Sequence, residues 1–112
     1  MLFEKQNIEI PVSFVIEHND FYAYDPSVDY SIEDNFKYLK EDLLQVIHIP
    51  TQLIIDLGWY GSKTENKGEF VLQIISNNYW DVPVSKLLAV SQVDILETLK
   101  KTLQALHLGV LD

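Results

Sequence analysis

Apolar and polar positions repeat with two different periods along this chain, and the changes of period mark its elements. Ile8, Ile10, Val12 and Phe14 recur at every second residue, with Glu9 and Ser13 opposite, which predicts a half-buried strand over residues 7–16. Pro11 has no N–H to give a ladder, so this strand belongs at an edge or bulge. Residues 17–20 read as a polar turn and residues 21–24, Phe-Tyr-Ala-Tyr, as a short return strand ended by Asp25-Pro26-Ser27. At Ser31 the period becomes helical. Ile32, Phe36, Leu39, Leu43 and Val46 form one stripe, and Ser31 is an N-cap with Glu33 and Asp34 in the first turn. This helix is expected to end near Ile47, because Ile49 precedes a proline.

Residues 51–57 then alternate as a core strand, with Leu53, Ile55 and Leu57 on one side and Gln52, Ile54 and Asp56 on the other, and Gly58 interrupts the pattern. Residues 62–67 are a solvated loop. Phe70 to Ile75 is almost continuously apolar, as a central strand covered on both faces would be. Asn77-Asn78 marks a turn, and residues 80–84 are a further pairing segment limited by Pro83. Ser91 caps a second helix, with Asp94 in its first turn, a stripe of Val93, Leu96, Leu99, Leu103 and Leu106, and Gly109 as its stop. The predicted architecture is one α+β domain over residues 1–112, a small antiparallel sheet of about four or five strands packed with two helices and centred on residues 53–84.

Composition changes this picture chiefly through charge. Net charge is −9, all eight cations are lysine, and arginine is absent. Nucleic-acid binders need cationic surface and favour arginine, so direct nucleic-acid binding is not expected. The acidity is uneven: residues 1–56 carry 11 acids and 3 lysines, whereas residues 57–112 carry 6 acids and 5 lysines. Such a surface either keeps the protein in solution or steers it onto a basic partner. Cysteine is absent, so disulfides and thiolate chemistry are excluded. The first residues lack the basic and apolar regions of a signal peptide, and no apolar run is long enough to span a bilayer, so a cytoplasmic protein without a membrane partner is expected.

Candidate chemistry is sparse. His18 falls in a polar turn, His48 at a helix end and His107 in the last turn of a helix, each with a simple structural role. His18-Asn19-Asp20 is a weak metal-ligand pair without a partner cluster, and no glycine motif for phosphate is present. Glu33-Asp34 and Glu41-Asp42 read as solvated helix positions rather than an acid–base pair. These features predict a binding protein without cofactor, not an enzyme. The aromatic corners at Trp59-Tyr60 and Trp80-Asp81, expected at sheet ends, are either core packing or a contact patch.

The order Asp56-Leu57-Gly58-Trp59-Tyr60, Gly68-Glu69-Phe70, Trp80-Asp81-Val82-Pro83-Val84 and a Ser91-capped helix resembles immunity proteins of bacterial contact-dependent growth inhibition and related polymorphic toxin systems. The resemblance covers roughly residues 51–107. It implies a cytoplasmic, non-enzymatic inhibitor whose partner is the C-terminal domain of a cognate toxin. Many such toxins are basic nucleases, whose active-site cleft an acidic protein can occlude. On this reading the toxin contacts are expected at Glu17, Asp20, Asp25, Asp29, Glu33 and Asp34, with Tyr22 and Tyr24 as aromatic anchors. The alternative set on the motifs is Trp59, Tyr60, Glu65, Glu69, Trp80 and Asp81. The competing function is that of an acidic adaptor, regulatory subunit or effector chaperone with an exposed apolar patch.

Overall fold

The computed structural model describes residues 3–28, 31–65, 67–77 and 79–109. Asp29, Asn66, Asn78 and the first two residues, all used in the sequence reading, lie outside them. The protein is an α+β fold: β1 (Phe14–Asn19), α1 (Ile32–Tyr38), β2 (Leu44–His48), β3 (Leu53–Ser62), β4 (Lys67–Ile75), β5 (Ser85–Ala89) and α2 (Gln92–Leu108). The strands form one five-stranded antiparallel sheet in the order of the chain, β1-β2-β3-β4-β5.

Register decides which side chains share a face. Leu44, Val46 and His48 of β2 stand opposite Leu57, Ile55 and Leu53 of β3, and Ile55, Leu57 and Trp59 stand opposite Ile74, Leu72 and Phe70 of β4. This face meets Ile95, Leu99, Leu103 and Leu106 of α2, all within one apolar cluster that also takes in Tyr24, Tyr38 and Leu39. Burial of each such side chain contributes about 1.5–3 kcal/mol. Both helices therefore serve the same face.

The second helix forms as its sequence predicts. Ser91 Oγ accepts from the Asp94 N–H (3.2 Å), and Gly109 closes the helix in the left-handed region at φ 74°. Its stripe is rotated from the expected one: Ile95 is buried in place of Val93, which is 69% exposed. The first helix starts as predicted, with Ser31 Oγ accepting from the Asp34 N–H (3.1 Å), but stops at Tyr38. Residues 44–48 are strand, not helix. Their alternation of Leu44, Val46 and His48 satisfies backbone groups against β3, which outweighs the helical spacing that joins them to Phe36 and Leu39. Ile32 and Phe36, expected on a buried stripe, are 50% and 56% exposed.

Three other boundaries move. Residues 7–13 hold no strand; the Phe14 N–H closes a turn onto the Pro11 carbonyl (3.1 Å), and β1 begins there and runs through the predicted polar turn to Asn19. Residues 21–24 contribute only an isolated bridge, Lys5 to Tyr22. The fifth strand lies at Ser85–Ala89, after Pro83 rather than around it.

Glycine lets β3 continue beyond Leu57. A Cβ at Gly58 would sit 2.1 Å from the Glu41 carbonyl oxygen, so its absence admits the chain of residues 40–42 against the strand. The Trp59 N–H donates to the Lys40 carbonyl (2.8 Å) and the Leu43 N–H to the Leu57 carbonyl (3.0 Å), which seals this segment to β3. Trp59 is thus inside a strand and 1% exposed, not at a sheet corner. Its ring lies over Gly68, where a Cβ would meet the indole at 2.4 Å.

Candidate functional site

The face of the sheet turned away from the helices is built from the alternate residues of the same strands. Its middle row runs through paired positions across all five strands: His18, Gln45, Asp56, Gln73 and Lys86. At about 4.8 Å between strands, the row spans roughly 19 Å. An apolar row of Val15, Ile47, Ile54 and Ile75 borders it on one side, and Gly58, Val71 and Leu88 on the other. None of these residues belongs to the cluster under the helices.

At the β1–β3 end of the row, His18, Asp42, Gln45 and Asp56 line an open pocket of about 290 Å³. Three local features assemble it. A bulge between Ile16 and His18 shifts the register of β1 and brings His18 opposite Gln45. His18 Nε2 lies 3.1 Å from the Asp42 carbonyl oxygen, which only accepts, so this ring nitrogen carries the proton and donates. Gly58 admits the segment that carries Glu41 and Asp42.

Asp56 is the centre of the pocket. It is 8% exposed, yet no hydrogen bond or ion pair engages its carboxylate among the described residues. Burial pushes its pKa up to about 6, the Asp42 charge adds to the rise, and His18 opposes it. The same field reaches the neighbouring tyrosine: burial, then Asp56, Glu41 and Asp42, hold the Tyr60 phenol above its ordinary value. No group of three or more metal-ligating side chains is gathered among the described residues. The arrangement is suited to receiving a cation with hydrogen-bond donors.

The structure separates the residues that the sequence reading grouped. Glu17 is exposed at the β1 bulge. Asp20 forms an ion pair with Lys40 (3.1 Å), and that bond, with the lysine charge, lowers its pKa despite some desolvation. Tyr22 is half-buried, stacked edge-on with Tyr38. Tyr24 is 2% exposed and its hydroxyl donates to Asn35 Oδ1, so it is a core residue and not an anchor for a partner; the aromatic content that marked it belongs to packing with Phe3 and Tyr38. Asp25 Oδ1 accepts from Ser27 and from the Gln92 N–H at the start of α2, which commits it to holding a turn against that helix. Glu33 and Asp34 stand in the first turn of α1. Asp29 lies outside the described residues.

Of the alternative set, Tyr60 and Glu69 face each other across β3 and β4, while Trp80 is 44% exposed in the turn before β5. Asp42, Gln45, Asp56 and His18 as a group were missed. One signal for them existed: each of the apolar runs around Gln45, Asp56 and Gln73 contains a single polar residue at the same strand-facing parity. Among the described residues no helix is long and apolar enough to cross a membrane. Comparison with protein-family models, with curated proteins and with solved structures returned no significant match.

Proposed function

We propose that this chain is an immunity protein, a cytoplasmic inhibitor without catalytic activity that binds a cognate toxin domain. A basic nuclease is the class of toxin its charge fits best, and neutralisation proceeds by covering the toxin's active-site cleft. The observation that carries the reading is the sheet face away from the helices, where Glu41, Asp42 and Asp56 are gathered without a lysine ion pair among the described residues and with His18 alone opposing the charge of Asp56. A net charge of −9 extends that local field over the whole molecule and accelerates encounter with a basic surface. This reading moves the contact surface from the acids of residues 17–34 toward the β1–β3 end of the open face, with Glu17 at its margin.

The test is rescue. The C-terminal domain of a large exoprotein encoded immediately upstream is co-expressed with this chain in a sensitive host, and affinity is then measured at low and high salt. Survival, with a dissociation constant on the order of nanomolar that weakens as salt rises, is the expected result. No rescue and no binding would overturn the proposal.

A second reading has its own observation. Tyr79, Trp80, Val82, Val84, Leu88 and Val90 are 44–76% exposed in and around the edge strand β5. Such a patch suits an adaptor or regulatory subunit that docks through apolar contact. In that case a partner binds independently of salt, and Trp80→Ala weakens it while Asp42→Asn does not.

A further inference from the structure

We propose that the pocket between β1, β2 and β3 on the open sheet face is a binding site for a guanidinium group, the side chain of an arginine presented by a protein partner. The origin of that arginine in a toxin rests on the function proposed above; the pocket's affinity for guanidinium does not.

Four observations converge on this chemistry. Asp56 is buried to 8% exposure and lines the pocket, with its carboxylate oxygens unengaged by any described residue. The residue is buried but borders the open pocket, so the donors of a ligand can reach a carboxylate that burial penalises. Asp42 sets a second negative charge beside it, so a cation between the two relieves their repulsion. The remaining groups leave room for a planar donor: Gln45 lines the wall, and His18, which lines it too, commits its Nε2 to the Asp42 carbonyl.

No lysine forms an ion pair with Asp56 or Asp42 among the described residues. Lys40 is engaged by Asp20, Lys86 stands beyond Gln73 at the far end of the row, and arginine is absent from the sequence. Guanidinium is favoured over ammonium because its fork matches a carboxylate with two parallel bonds and it is more weakly hydrated, so it enters a half-buried site at less cost.

The experiment is a nuclear magnetic resonance titration of the whole chain with ethylguanidinium chloride, compared with sodium chloride at equal ionic strength. Saturable shifts at Asp56, Gln45 and His18 are expected, absent in Asp56→Asn, whose spectrum otherwise stays native. Shifts that match the salt control, or that persist in Asp56→Asn, would overturn the site. With a toxin domain that the wild-type chain neutralises, Asp56→Asn is expected to weaken binding at least about tenfold; unchanged affinity also overturns the proposal. Failure of the wild-type chain to rescue would remove the toxin reading and leave the ethylguanidinium result standing.

Discussion

The two faces of the sheet are made from the same strands, residue by alternate residue, and they obey different rules. Leu44, Val46, Ile55, Leu57 and Leu72 face α2 and are at most 1% exposed, with no polar side chain among them. Gln45, Asp56 and Gln73, one residue along, face away from the helices and form a polar row. On the helix-covered face the paired strand positions are apolar apart from the buried His48. On the opposite face, where Ile54, Val71 and Ile75 are buried as well, a carboxylate is retained although burial penalises its charge. The difference separates what holds the fold from what the fold presents.

The comparison breaks most sharply on the covered side. Leu99→Ala removes a fully buried α2 side chain and should cost about 2–5 kcal/mol, read as a lower urea midpoint. A second disruption strikes the boundary between the faces. Gly58→Ala drives a Cβ into the Glu41 carbonyl and should cost about 1–3 kcal/mol, with amide shifts concentrated in residues 40–43 and 57–59. The displaced segment carries Asp42, so this change should also weaken partner binding.

On the open side the sign reverses. Asp56 titrates near 3.8 when unfolded and near 6 when folded, so the folded chain holds more proton between those values. Stability therefore falls as pH rises from about 4 to about 6 and remains at the lower level above. Asp56→Asn should stabilise the protein by about 1–3 kcal/mol at pH 7–8 and leave it unchanged near pH 4, measured by denaturation at both values. The smallest effect belongs to Asp42→Asn, an exposed position, with a stability change within about 0.5 kcal/mol. It should nonetheless draw the Asp56 titration midpoint back toward the ordinary carboxylate range, seen by side-chain carboxyl resonance, because Asp42 contributes to the rise.

Where one element specified itself locally, the sequence was readable. Ser91, the apolar spacing through Leu106 and the left-handed Gly109 defined α2 almost to the residue. The run at 53–57 was legible as a strand from its alternation, and the run at 70–75 from its nearly continuous apolar character. The chain between Leu39 and His48 misled because its spacing fits a helix and a strand equally; only the neighbouring strand β3 decides between them. The pocket was hidden for the same reason. His18, Asp42, Gln45 and Asp56 come from three strands and a connecting segment, and they meet only through the β1 bulge and the close approach at Gly58. Sequence proximity instead grouped Asp25 and Tyr24 with the exposed acids, although one holds a turn and the other fills the core.

The order of the strands has a consequence for synthesis. Each strand pairs with its predecessor in the chain, with α1 between the first two, so the sheet can assemble in the order in which it leaves the ribosome. The helix that covers its apolar face follows all five strands. For the time taken to translate α2, at roughly 5–20 residues per second, a nascent chain exposes Leu57, Leu72 and Ile55 to the cell. Ribosomes stalled before Ser91 should accordingly hold a chaperone-bound sheet, and release of the following helix should discharge it.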